Sequence, residues 1–306
     1  MTTRAASQQT TSTFPGSPPP RVIQPKCTRC GLCLTVCPAN VFEMHNKRIA
    51  AVKTQYCIQC GHCGSMCPSN AIVVSSAETK RLSAFGPDAL PSPRSLQLLL
   101  RSRRSVRRYK RKPLTKKDLH TIIEAGRYTA TGSNSQNIRY MVVTDPKKIA
   151  ELREITVPAV MKLFATAAKT ASLPFASYLL GDALVDKLKN QYGPGMKLFY
   201  ERQSRGEDRL FFDAPAIMLV CGDRWDETTG FSCAAALYNC SLKAHTIGVG
   251  CCFNGFIQTT VNNNPKIRKW FGIPRSQKCY GAMTLGYQDV QYNRLVKRKQ
   301  PDVTWF

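Results

Sequence analysis

The sequence predicts an α+β protein in two units: a small N-terminal one built on a doubled cysteine run, and a larger one with a central sheet covered by helices. Three observations carry this expectation. The run CTRCGLCLTVCP beginning at Cys27 returns as CIQCGHCGSMCP beginning at Cys57, an offset of 30 residues. Short β-type runs flank each copy. From Ser95 onward the apolar runs YMVVT, AIMLVC and CYGAMTLG are separated by long helical stretches, the pattern of an α+β or α/β domain.

A chain of 306 residues suggests about two domains, with room for at least one substantial core. It carries 14 cysteines, eight of them in the doubled run. The other six (Cys221, Cys233, Cys240, Cys251, Cys252 and Cys279) lie mostly among apolar residues and are expected to be buried, unreactive thiols. Such usage fits a reducing compartment, so a cytoplasmic location is expected. There is no apolar run long enough to span a membrane, and residues 1–22 lack the apolar core of a signal peptide. The formal net charge is +25, from 44 basic and 19 acidic side chains. A surface of this sign attracts acidic partners, whether protein, nucleic acid or anionic membrane.

Taken in order, residues 1–21 are Thr, Ser and Gln followed by GSPPP, a composition that builds no core, so a disordered arm is expected. Residues 22–76 form the small domain. Val22 and Ile23 open its first strand, Val41 and Phe42 return after the first cysteine loop, and Ile49 to Val52 and Ile72 to Val74 supply the second half. Residues 77–94, with several prolines, read as a linker, and 95–306 as the large domain. SLQLLLRSR has helical spacing, with Ser95 as its cap. Thr115 with Asp118 opens a second helix whose apolar side is Leu119, Ile122, Ile123 and Ala125. Tyr140 to Thr144 is a strand. Residues 146–192 are expected to be helical, broken near Pro158 and Pro174, and 193–209 a loop at a cavity rim. Ala216 to Cys221 is an apolar strand, Cys233 to Leu242 a buried helix, and Cys279 to Gly286 a third strand.

Each half of the cysteine repeat reads C-x2-C-x2-C-x3-C-P, the bacterial spacing for holding a [4Fe-4S] cube, in which the fourth cysteine reaches across to the other cluster. The expected ligand sets are therefore Cys27, Cys30, Cys33 and Cys67 for one cluster, and Cys57, Cys60, Cys63 and Cys37 for the other. Gly31 and Gly61 let each loop close, and Pro38 and Pro68 end each run. A disulfide framework has no need of this duplication, and a zinc site uses four ligands in C-x2-C pairs. A degraded or three-iron cluster remains the alternative. Residues 22–76 resemble the two-cluster ferredoxins, which carry electrons one at a time and do no substrate chemistry.

The densest basic stretch is RSRRSVRRYKRKPLTKK at 101–117, with ten Lys or Arg in 17 positions. For Arg101, Arg108, Lys110, Arg111 and Lys112 a solvated surface is the expectation. A nucleic-acid patch would carry the same charge, but no helix-turn-helix, finger or aromatic stacking pattern accompanies it. Arg103, Arg104, Ser105 and Arg107 place guanidinium forks and a hydroxyl around one turn, the donor set of a phosphomonoester site.

At these residues the chain resembles the nitroreductase family of FMN flavoenzymes, over 95–306, so that the whole looks like a ferredoxin–nitroreductase fusion. SRRSVRRY at 102–109 matches the element that grips the FMN phosphate and ribityl region, implying Arg103, Arg104, Ser105 and Arg107. TATGSNSQN at 129–137 matches a P-S-x-x-N-x-Q-P segment, implying that Thr131, Asn134 and Gln136 meet the flavin. Here Ala130-Thr131 replaces Pro-Ser, Asn137 replaces the final proline, and Ile138-Arg139 stands where an aromatic is usual. TIGVGCC at 246–252 resembles the stretch near the isoalloxazine ring, implying Gly248, Val249 and Gly250. LGY followed by VKRK at 296–299 implies Arg298 and Lys299 at the phosphate.

The resulting expectation is an iron–sulfur flavoprotein oxidoreductase, passing electrons between two [4Fe-4S] clusters and FMN to reduce a small planar acceptor such as a nitroaromatic or quinone. No residue is expected to be catalytic in its own right, the chemistry belonging to flavin N5. The resemblance implies a homodimer with FMN at the interface. The donor is expected to be an acidic electron-transfer protein (ferredoxin or flavodoxin) or NAD(P)H, although no G-x-G-x-x-G fingerprint is present. The alternatives are a redox protein that binds nucleic acid through the basic run, and a reductive dehalogenase or ring reductase of the same fold.

Overall fold

The computed structural model describes residues 18–74 and 83–306; most of the expected N-terminal arm and part of the linker fall outside them. The chain forms two compact units, one of Met1–Pro91 with Ala130–Gln136, the other of Ser92–Thr129 with Asn137–Phe306.

The first unit is pseudo-symmetric. Strand β1 (Arg21–Val22) pairs antiparallel with β4 (Ile72–Val73), and β2 (Phe42–His45) with β3 (Arg48–Ala51). One-turn helices α1 (Leu32–Thr35) and α2 (His62–Ser65) follow the cysteine loops. The 30-residue repeat extends to the backbone: Arg29 and Gln59, Gly31 and Gly61, and Asn40 and Asn70 all have positive φ. Gly31 and Gly61, at 78° and 76°, are the N-terminal caps of α1 and α2, where a left-handed turn swings the third cysteine inward. Val41, Phe42, Ile49, Ile72 and Val74 make the core beneath the loops.

In the second unit α3 (Pro93–Ser102) starts earlier than expected: Ser92, not Ser95, is the cap, its hydroxyl accepting the Ser95 N–H at 3.2 Å. Pro93 fixes φ at the first helical position, where its missing donor costs nothing. Helix α4 (Lys116–Arg127) keeps the expected Thr115 cap, which accepts the Asp118 N–H at 3.0 Å. Strand β5 (Arg139–Val143) leads to α5 (Pro146–Ala171), which runs through Pro158 without a break. The proline forfeits one hydrogen bond, but Ile149 and Leu152 before it and Val160 after it are all anchored in the same core. Helices α6 (Ala176–Leu180) and α7 (Asp182–Asp186) and a π-helical turn (Lys187–Tyr192) follow the break near Pro174. The expected loop from 193 is instead α8 (Gly193–Ser204), which takes its Gly-Pro-Gly into the first turn.

Strand β6 (Ala216–Asp223), helix α9 (Glu227–Thr246), strand β7 (Val249–Phe253), helices α10 (Gly255–Asn263) and α11 (Pro265–Trp270), and strand β8 (Gln277–Tyr287) complete the unit. The sheet is antiparallel in the order β5-β6-β8-β7. Buried side chains fill both of its faces: Ile217, Leu219 and Cys221 pack with α5, α10 and α11, and Ala216, Met218 and Val220 with α4 and α9. This wrapped sheet makes the α+β architecture explicit. The six cysteines of this unit are all buried, as expected.

Candidate functional sites

In the first unit the eight repeat cysteines line two cavities. Cys27, Cys30, Cys33 and Cys67 surround one, with Ile49, Ala71 and Ile72. Cys37, Cys57, Cys60 and Cys63 surround the other, with Val41, Phe42 and Val74. The fourth cysteine of each run thus crosses to the opposite cavity. The two crossing residues have matching support: the Val41 N–H donates to Cys37 Sγ at 3.3 Å and the Ala71 N–H to Cys67 Sγ at 3.2 Å. Burial pushes the Cys63 thiol up to about 12, against the Gly64 backbone donor and with the help of Cys60, Cys37 and Cys57. Burial likewise raises Cys33, whose sulfur neighbours are Cys27, Cys30 and Cys67. Four thiolates converging on an apolar hollow repel one another and suit a cationic, sulfur-seeking centre. Among the described residues, no His, Cys, Asp or Glu group is already drawn in to metal-holding distance.

Ala130–Gln136 also belongs to this unit. Ser133, Asn134 and Gln136 all take positive φ. The Gln136 N–H donates to Thr131 Oγ1 at 3.1 Å, and Gln136 Nε2 donates to Asn134 Oδ1 at 3.2 Å. Asn134 Nδ2 donates to the Ile58 carbonyl at 3.0 Å. The resemblance implies that Thr131, Asn134 and Gln136 meet a flavin; the structure gathers the three into one turn, with an Asn134 amide N–H on the Ile58 carbonyl of a cysteine loop.

The second unit holds the basic site. Residues 105 and 106 run alongside β7: Ser105 bridges Cys251, and the Val106 N–H donates to the Cys251 carbonyl at 2.9 Å. The first and third motifs, far apart in sequence, therefore lie side by side. Gly250 permits this, since a Cβ there would meet the Val106 side chain at 2.8 Å. Val249 is buried in the core, leaving only its backbone for a ligand. Gly248, with φ of 74°, turns the chain from α9 into β7.

Arg103 lies over the rings of Tyr238 and Phe253, 5.6 and 5.5 Å from their centroids. Its Nε and Nη1 atoms are buried without a hydrogen-bond partner, as is Nη2 of Arg104. Arg104 Nη1 donates to the carbonyls of Arg101 and Arg103 at 2.7 and 2.8 Å, which fixes its fork. Arg107 lies over Phe212 at 5.7 Å. Among the described residues none of these three arginines forms an ion pair. Their charge is felt nearby. Burial and then Arg103 and Arg104 hold His245 below its ordinary pKa, and Ser102 Oγ lies 2.9 Å from its Nε2. Burial pushes Cys251 up to about 11, with Arg103 opposing. Buried cationic donors without an anion are costly, so this donor set fits a phosphate. Arg298 and Lys299 are exposed in the C-terminal stretch, and among the described residues neither forms an ion pair.

Sequence reasoning missed Tyr238, His245 and Phe253. A signal for the first two exists: Phe231, Tyr238 and His245 fall seven apart on α9 and share one helical face.

The Nitroreductase family profile matches residues 100–287, and the 4Fe-4S dicluster domain profile matches residues 26–81. The chain belongs to the nitroreductase family. Its N-terminal unit is a 4Fe-4S ferredoxin domain fused ahead of that nitroreductase-family domain. The chain is 25% identical to a nitrobenzene nitroreductase of Ectopseudomonas oleovorans over 65% of its own length and 89% of the relative's. It is 26% identical to a chloronitrobenzene nitroreductase of Comamonas testosteroni over the same shares. Among solved structures, an iodotyrosine deiodinase bound to FMN and 3-iodo-L-tyrosine superposes with a TM-score of 0.50 at 17% identity, covering 69% of this chain and 98% of that one. That likeness shows the nitroreductase-family fold. Among the described residues no helix is long and apolar enough to cross a membrane.

Proposed function

We propose that this nitroreductase-family protein is an FMN-dependent reductase that exchanges electrons with two [4Fe-4S] clusters and reduces a small planar acceptor of the nitroaromatic or quinone class. The observation that carries the reading is the set of buried, unpaired guanidinium nitrogens on Arg103 and Arg104. Arg103, Arg104, Ser105 and Arg107 would hold the FMN phosphate, and the Gly248–Gly250 backbone would meet the rest of the cofactor. Arg298 and Lys299 would close on the phosphate from the C-terminal end. Bound FMN would supply the coupling of one-electron to two-electron transfer. The crossed cysteine cavities support the clusters, and the names of the two nitroreductase relatives support the acceptor class.

A second copy of the chain is the proposed partner, with FMN near the interface. Helix α3 has no buried residue, although Leu96 and Leu100 stand on one side of it. Phe231 is 76% exposed and Trp305 89%. So much bare apolar surface calls for a protein cover. The exposed cations Arg108, Lys110, Arg111 and Lys112 suit an acidic electron-transfer protein as donor. Anaerobic stopped-flow spectroscopy with reduced ferredoxin, NADH and NADPH in parallel tests the reading. Cluster and flavin bands should bleach with one of the donors and recover on adding a nitroaromatic. Flavin that no donor reduces, or that recovers no faster with acceptor, contradicts it.

A further inference from the structure

The cavity lined by Cys37, Cys57, Cys60 and Cys63 receives a hydrogen-bond chain that, among the described residues, its twin lacks. The chain runs through one peptide unit, between Ile58 and Gln59. On its carbonyl side Asn134 Nδ2 donates to Ile58 O at 3.0 Å. On its amide side the Gln59 backbone N–H donates to the Cys57 sulfur, opposing the upward push of burial on that thiol. Polarising a carbonyl from outside strengthens the N–H of the same peptide as a donor, so the two bonds reinforce each other.

The geometry around the contact is held in place. Gln59 is itself in the left-handed region, with φ of 54°, and is only 6% exposed. Asn134, with φ of 55°, is one of the few residue types that accept that conformation cheaply, and Gln136 Nε2 fixes its Oδ1 from behind at 3.2 Å. The repeat-related peptide, between Thr28 and Arg29, has no such donor among the described hydrogen bonds.

We infer that Asn134 is a positioning residue for the cluster at Cys37, Cys57, Cys60 and Cys63: it sets that cluster's potential above the value its cysteine loop alone would give, and so makes the two otherwise equivalent sites unequal. The inference rests on the two-cluster reading above. A donor to a ligating sulfur stabilises the more negative, reduced state, so strengthening that donor raises the potential.

The test is an EPR-monitored redox titration of the holoprotein and two variants. Asn134→Gly deletes the amide while easing the positive φ; Ser133→Gly alters the same turn but leaves the amide. Cys37→Ala and Cys30→Ala identify which wave belongs to which cluster. The expected result is that Asn134→Gly lowers the midpoint of the cluster assigned to Cys37 alone, with iron and flavin content unchanged, while Ser133→Gly moves neither wave. Two intact signals with unmoved midpoints in Asn134→Gly would overturn the inference and leave the two-cluster reading standing. So would equal shifts in both clusters, or loss of flavin with no cluster shift, since the amide would then be serving the flavin. A wild-type protein without two cluster signals would overturn the reading, and the inference with it.

Discussion

Replacing Arg103 by Met separates its role as a phosphate ligand from its role in the fold, because the two have opposite signs. In the protein without flavin, Arg103 is a half-buried cation whose buried Nε and Nη1 have no hydrogen-bond partner, and the rings of Tyr238 and Phe253, at 5.6 and 5.5 Å, offset part of its cost. Those ring contacts are worth about 0.5–2 kcal/mol each. Exchanging a charge whose buried atoms nothing compensates for an apolar chain of similar length removes its desolvation cost. The flavin-free variant should therefore melt at or above the wild-type temperature. With FMN bound the sign reverses: the variant leaves part of a phosphate dianion uncompensated, costing about 2–5 kcal/mol. That is roughly 30-fold to several thousand-fold in affinity. Flavin-fluorescence titration of flavin-free protein measures it, and riboflavin, which lacks the phosphate, is the control. The wild type should prefer FMN to riboflavin, and Arg103→Met should lose most of that preference. If the variant binds FMN as tightly as wild type, or loses both flavins equally, the phosphate assignment is refuted.

Three further outcomes are expected. Cys37→Ala should damage the same cluster as Cys60→Ala in EPR spectra of the reduced protein, because the two residues line one cavity; a match with Cys30→Ala would refute the crossing. Changing the exposed Arg108, Lys110, Arg111 and Lys112 together to Gln should leave FMN content unaltered but slow electron exchange with an acidic protein donor, more at low salt than at high; flavin loss would place those residues in the cofactor site instead. His245, held below its ordinary 6.5 by burial and by Arg103 and Arg104, is neutral in the folded protein at pH values where the unfolded chain already binds a proton. Stability should therefore fall as pH drops below about 6.5 and level off below the folded pKa, while His245→Gln should flatten that slope in denaturant titrations. An unchanged slope would mean that the imidazole titrates normally.

What the sequence made legible follows from how local each signal was. The cluster loops repeat at a fixed offset, and each repeat carries its own positive-φ residues and crossing cysteine, so local spacing specified a long-range result. The Thr115 cap and the strands around Met218 and Met283 were equally local. Failures came where tertiary context overrode local chemistry. Pro158 does not break α5, because core side chains hold the helix on both of its sides. Gly-Pro-Gly at 193–195 starts a helix instead of forming a loop. Strand β7 looked only like a glycine motif, since its pairing with β8 and its bridge to Ser105 lie far away in sequence. Arg103, Arg104, Ser105 and Arg107 were readable as a donor set, whereas the aromatic seat under Arg103 was not, because Tyr238 and Phe253 come from two different elements. For Asn134 the residue was singled out but its contact was not, since no periodicity in the sequence ties it to Ile58.

The most direct test of the central claim is a cofactor count on anaerobically purified protein: iron, acid-labile sulfide and extracted flavin per chain. The account predicts about eight irons and about eight sulfides, with one FMN per chain. Half that iron content would contradict the paired cysteine cavities, and FAD or no flavin in the extract would contradict the phosphate site at Arg103 and Arg104, and with it the reductase reading.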